Sequence, residues 1–141
     1  MSEPQELASD LRVVIGQLIR RLRAERRALP MNQLAVLGRL DRTGPAGVSD
    51  LAAGERVRPQ SMASTVHTLE RAGLVHGRPD PTDGRRRLID MTAAGRAMLA
   101  DDRARRVGWL ADTISRDLTP HEQRVLADAV ELLSRIAAGE G

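Results

Sequence analysis

Between Val48 and Met91 the hydrophobic periodicity changes twice, and this constrains the fold more than any other feature of the chain. Val48 to Ala53 reads as a short helix with Ser49 as its expected N-cap. Arg56-Val57-Arg58 breaks it. Pro59 suits a first helical turn, and the helix it opens is expected to run to about Ala72, where Gly73 supplies a stop. Leu74 to Arg78 reads as a short strand, and Pro79-Asp80-Pro81-Thr82-Asp83-Gly84 is dense in turn-forming residues. From Arg86 to Met91, Arg87, Ile89 and Met91 alternate with Arg86, Leu88 and Asp90, which predicts a return strand. A short helix, a tight break, a second helix and a hairpin with an arginine-rich tip make a winged helix-turn-helix pattern.

Helices flank this segment on both sides. Leu7, Leu11, Val14, Leu18 and Leu22 fall at helical spacing, widened by Ile15 and Ile19. A helix from about Gln5 to Ala28 would be roughly 36 Å long, more than so small a chain needs for its own core. Its stripe is therefore expected to pack beyond its own subunit. Pro30 again suits a first turn, and Gln33, Leu34, Val36, Leu37 and Leu40 follow, stopped by Thr43-Gly44-Pro45. After the hairpin, Thr92 caps a long helix through Met98, Leu99, Val107, Leu110 and Ile114. Thr119-Pro120-His121-Glu122 forms a capping box for a last helix carrying Val125, Leu126, Val130, Leu133 and Ile136. The expected fold class is mainly α with a small β-wing. The 141 residues form a single domain (1–141), with a winged helix-turn-helix core at 30–95 and dimerisation helices at 1–29 and 96–141.

Composition narrows the function classes. There is no cysteine, which excludes disulfides, thiolate metal sites and thiol redox switching. His67, His76 and His121 have no metal-ligand spacing, so no metal and no cofactor are expected. Adjacent Asp101 and Asp102 point apart on a helix, and no serine lies in a nucleophile elbow, so the chain does not read as an enzyme. No stretch approaches the roughly 20 apolar residues of a membrane span. The polar N-terminus does not read as a secretory signal, so the expected location is cytoplasmic, without a membrane partner. Trp109 is the single aromatic, which argues against an RNA-stacking platform and leaves the core to aliphatic residues and methionine. All 22 basic residues are arginine, and seven of them lie within Arg56–Arg87 against three acids. The net charge is only +3, so this clustering says more than the total.

At 100° per residue, Met62, Val66 and Leu69 fall on the core side of the fourth helix. Gln60, Ser64, His67 and Arg71 fall opposite, flanked by Ser61 and Thr68. Such a face suits a major groove, with Gln60 matched to adenine and the hydroxyls to bases or phosphates. Arg85 and Arg86 at the hairpin tip suit a narrow minor groove, and Asp83 is placed to hold the Arg85 guanidinium. With Arg58 at the helix entrance, the expected DNA-binding set is Arg58, Gln60, Ser61, Ser64, His67, Thr68, Arg71, Arg85 and Arg86, with Asp83 as wing support.

The stretch from Asp80 to Gly95 (DPTDGRRRLIDMTAAG) resembles the wing signature of the multiple-antibiotic-resistance regulator (MarR) family. In that signature an Asp, and an Arg two residues on, precede an apolar strand and Leu-Thr-x-x-Gly. Asp83, Arg85, Thr92 and Gly95 match it, and Met91 replaces the usual Leu. Leu69 to Val75 resembles the family's link from recognition helix to wing, and Leu118 to Glu122 the start of its last helix. The likeness covers nearly the whole chain; Leu29-Pro30-Met31 lacks the Thr common at that point. It implies a homodimer joined by its first and last helices, binding double-stranded DNA at a pseudo-palindromic operator. It also implies repression relieved by a small-molecule effector or oxidant, with Arg85 as the minor-groove residue and Asp83 as its support. The thiol-oxidation branch is excluded, and without Tyr or Phe an aromatic-lined phenol pocket is not expected. The competing expectation is a winged-helix adaptor for protein contacts without specific DNA binding, which salt-dependent duplex binding would separate from the first.

Overall fold

The computed structural model describes residues 3–25 and 29–139. Its order is α1 (Pro4–Ala24), α2 (Met31–Thr43), α3 (Val48–Glu55), α4 (Pro59–Arg71), β1 (Val75–Pro79), β2 (Arg87–Met91), α5 (Ala93–Asp117) and α6 (Pro120–Ala138). The expected fold class, mainly helical with a two-stranded wing, is the one found. α1 ends earlier than its periodicity predicts, with Glu25 already extended; the predicted end at Ala28 lies outside the described residues. Pro30 proves to be the N-cap of α2 rather than its first turn.

The chain divides into two compact units. One runs from α2 through the start of α5. Its core joins Val36, Leu37 and Leu40 of α2, Leu51 of α3, Met62, Val66 and Leu69 of α4, and Ile89 of β2. Each of these aliphatic side chains contributes about 1.5–3 kcal/mol by leaving water. Met62 and Met91 are buried among them, filling space that no ring occupies. The hairpin pairs antiparallel from Val75 opposite Met91 to Pro79 opposite Arg87. Ala46 joins it as a one-residue third strand. Its N–H donates to the Ile89 carbonyl at 3.1 Å, and the Ile89 N–H donates back at 2.8 Å.

This pairing explains where α3 begins. Ser49, the expected N-cap, lies inside the helix; the N-cap is Gly47, whose carbonyl accepts from the Leu51 N–H at 3.0 Å. With Ala46 fixed against β2, the chain turns at once into the helix, and no side-chain cap is used.

The other unit comprises α1, α5 from Arg105 onward, and α6. α6 carries the full predicted capping box. The Glu122 N–H donates to Thr119 Oγ1 at 3.2 Å, and the Thr119 N–H to Glu122 Oε1 at 2.9 Å. The Arg21 guanidinium sits 5.4 Å from the Trp109 ring centre, a cation–π contact. No residue of α1 or α6 is buried.

Candidate nucleic-acid interface

The turn between α3 and α4 is tight because Arg56 takes a left-handed conformation, φ 55° and ψ 44°. Its N–H and that of Val57 then reach back to the carbonyls of Ala53 (3.3 Å) and Ala52 (3.0 Å). That conformation costs a non-glycine residue roughly 1–2 kcal/mol. A side chain from α2 secures the helix end: Arg39 donates to the Gly54 carbonyl at 2.8 Å and pairs with Glu55 at 3.1 Å. A carbonyl at a helix C-terminus, otherwise unpaired, thus meets a cation.

α4 leaves this turn with Pro59 in its first turn and Arg58 as an exposed N-cap. Met62, Val66 and Leu69 are buried, and Gln60, Ser61, Ser64, His67, Thr68 and Arg71 are all exposed, as the helical wheel predicts. Two of these deserve distinction. Thr68 Oγ1 donates to the Ser64 carbonyl at 3.1 Å, which leaves its oxygen free to accept only. Ser61 stands on the flank nearest α2, beside a cleft it shares with Met31, Ala35 and Val57.

The wing tip is built from carboxylate-to-backbone bonds. Asp80 Oδ1 accepts from both the N–H (2.9 Å) and the hydroxyl (2.8 Å) of Thr82. These bonds hold the Asp80 carboxyl below the usual carboxylate range, the backbone N–H acting most strongly. Asp83 Oδ1 accepts from the Arg85 N–H at 3.1 Å, and the Asp83 carbonyl accepts from the Arg86 N–H at 3.0 Å. Asp83 therefore fixes the backbone of Arg85. This corrects the expectation that it holds the guanidinium; an aspartate two residues upstream reaches the amide first, as an Asx turn does.

The three consecutive arginines separate by partner. Arg86 pairs with Asp50 on α3, with Asp80 behind it at 3.9 Å. Arg87 forms a two-pronged bond to Glu70 near the end of α4, Nη1 to Oε1 and Nη2 to Oε2 both at 2.8 Å. This fork lowers the Glu70 pKa, outweighing the opposing effect of burial. Among the described residues Arg85 is the one of the three whose guanidinium has no carboxylate partner, and it is exposed. Arg86, also expected to contact DNA, pairs with α3 while its side chain stays exposed. Sequence reasoning missed Asp50, Glu70 and Arg39 because each acts across elements, and only the hairpin register and helix packing bring its partner near. Among the described residues no group of carboxylates and histidines is arranged to hold a metal ion, and no helix is long and apolar enough to cross a membrane.

Residues 29–86 match the MarR family profile. An uncharacterized HTH-type transcriptional regulator of Mycobacterium bovis is 34% identical over 129 residues, 90% of each chain. The crystal structure of a Pseudomonas aeruginosa protein assigned as a transcriptional regulator is 36% identical. It superposes with a TM-score of 0.84 over 97% of this chain and 96% of its own. An S. aureus MepR mutant bound to an oligodeoxyribonucleotide shares the fold, with a TM-score of 0.68 at 18% identity over 92% and 97% of the two chains.

Proposed function

The chain belongs to the MarR family of transcriptional regulators, and from that premise we propose that it is a homodimeric repressor of a pseudo-palindromic operator. α4 enters the major groove. Gln60, Ser64, His67 and Arg71 face base edges there, while Arg58, Ser61 and Thr68 face the backbone. Arg85 enters the flanking minor groove, on a tip whose backbone Asp83 supports. The observation that carries this reading is the pairing of the outward polar side chains Gln60, Ser64, His67 and Arg71 on α4 with one guanidinium at the wing tip that has no carboxylate partner. The DNA-bound fold of the MepR mutant supports it. Repression, and release by a small-molecule effector, rest on family resemblance. α1 and α6 supply the dimer contact, since none of their apolar residues is buried in their own chain and many stay more than two-fifths exposed.

Selection from a random duplex library, followed by footprinting, tests the proposal. The expected product is an inverted repeat with half-site centres about one helical turn apart. A chain that selects no duplex, or a site without a dyad, overturns it. Arg85→Ala should weaken operator binding about 5- to 150-fold and make the salt slope shallower by about one unit. Arg116, exposed and 3.0 Å from Asp117, is the control for general charge loss. Equal losses from Arg85→Ala and Arg116→Ala would leave only diffuse attraction.

A further inference from the structure

Arg86 and Arg87 are neighbours, yet they reach in different directions. Arg86 reaches to Asp50 on the helix before the turn, and Arg87 to Glu70 near the end of the recognition helix. The two acids belong to the two halves of the helix-turn-helix. Each contact ties β2 or its entrance to one of those halves, and the tip bearing Arg85 is next in sequence. The Glu70–Arg87 contact is a planar fork, which fixes direction as well as distance. The backbone pairing of Ala46 with Ile89 holds the middle of the hairpin, and the Arg86 and Arg87 contacts lie on its tip side.

We infer that Glu70 and Asp50 are positioning residues for DNA reading, which by gripping Arg87 and Arg86 set the reach from the outward face of α4 to Arg85. They touch no DNA themselves, because a carboxylate is repelled by phosphate. Their effect passes through Arg85, so the inference rests on the reading proposed above. It has a consequence for specificity. A fixed reach means that the major-groove half-site and the flanking minor-groove contact stand at a fixed separation along the duplex. Flanking sequence with a narrow minor groove, as in A-tracts, is then favoured at one offset and not at its neighbours.

The test is a double-mutant cycle on the full chain with the selected operator. Glu70→Gln and Arg87→Gln should each weaken binding on the order of 3- to 10-fold, and less than about 2-fold when Arg85 is already alanine. Exchanging the pair, Glu70→Arg with Arg87→Glu, should restore most of the loss. Asp50→Asn should behave as Glu70→Gln does. A second readout separates positioning from general stability. Moving an A-tract flank by one base pair should penalise the wild type more than Glu70→Gln. If Glu70→Gln and Asp50→Asn leave affinity unchanged, or add fully to Arg85→Ala, or discriminate flank offsets as the wild type does, the positioning role is wrong while the proposed function stands. If Arg85→Ala itself leaves affinity unchanged, the minor-groove reading falls and this inference falls with it.

Discussion

Thr92 closes three bonds at the point where the wing returns to the helices. Its N–H donates to the Leu74 carbonyl at 3.1 Å, and its hydroxyl donates to the Gly73 carbonyl at 2.6 Å and accepts from the Gly95 N–H at 3.1 Å. It is both the cap of α5 and the link to the end of α4. Thr92→Val keeps the shape and removes the hydroxyl, so it should cost about 1–2 kcal/mol in chemical denaturation. Gly95 is held by a different constraint. Any Cβ there would collide with the Leu74 carbonyl oxygen, a backbone atom that cannot step aside as a side chain would. Gly95→Ala should therefore destabilise by about 1–3 kcal/mol, although alanine is the better helix former. A melting temperature unchanged or raised in Gly95→Ala would show that α5 can shift away from Leu74. The Thr and Gly of the wing signature thus acquire a mechanical reason: together they allow α5 to start in contact with the backbone at Leu74.

At the scale of elements, the Glu70–Arg87 tie between α4 and β2 should be visible as a pH effect. Glu70 has its pKa lowered in the folded chain, chiefly by the bond from Arg87. The stabilisation is present above the ordinary glutamate value, and it is lost as pH falls through the lower folded value. The wild type should melt above Arg87→Gln near neutral pH, and the gap should shrink below about pH 4. A gap that stays constant down to pH 3 would mean the tie contributes nothing to stability. Removing Arg39, which closes α3, should cost about 1–2 kcal/mol in Arg39→Met, since the Gly54 carbonyl and Glu55 lose a charged donor. Much at this scale was legible in the sequence. Apolar spacing and stop signals located the six helices found among the described residues, the turn residues located the wing, and the Thr119–Glu122 box was correct in detail. The start of α3 was not, because pairing of Ala46 with a strand more than forty residues later, not capping, decides it. The same limit hid the sorting of Arg85, Arg86 and Arg87. In sequence they are three equal arginines, and only the positions of Asp50 and Glu70 make them different.

For the molecule as a whole, the amount of uncovered apolar surface is decisive. On α1, Leu7, Val13, Val14, Leu18 and Ile19 are all more than two-fifths exposed, and on α6 Val125, Val130, Leu132 and Ile136 are more than half exposed. A solitary chain rarely tolerates such patches. Sedimentation at micromolar concentration should give about twice 15.4 kDa. The melting temperature should rise with protein concentration, because pairing stabilises only the folded form. A soluble monomer with a concentration-independent melting temperature would contradict this. The division into two units also orders the life of each molecule. The unit carrying α4 and the wing is contiguous in sequence, whereas the unit of α1 and α6 is assembled from segments on either side of it. During synthesis the contiguous unit has all its residues joined before residue 105 is added. The other must wait for α6. A chain cut near residue 104 would keep every segment of the first unit and lose α6 from the second, so on the reading proposed above it should lose pairing and, with it, tight occupancy of a two-fold site.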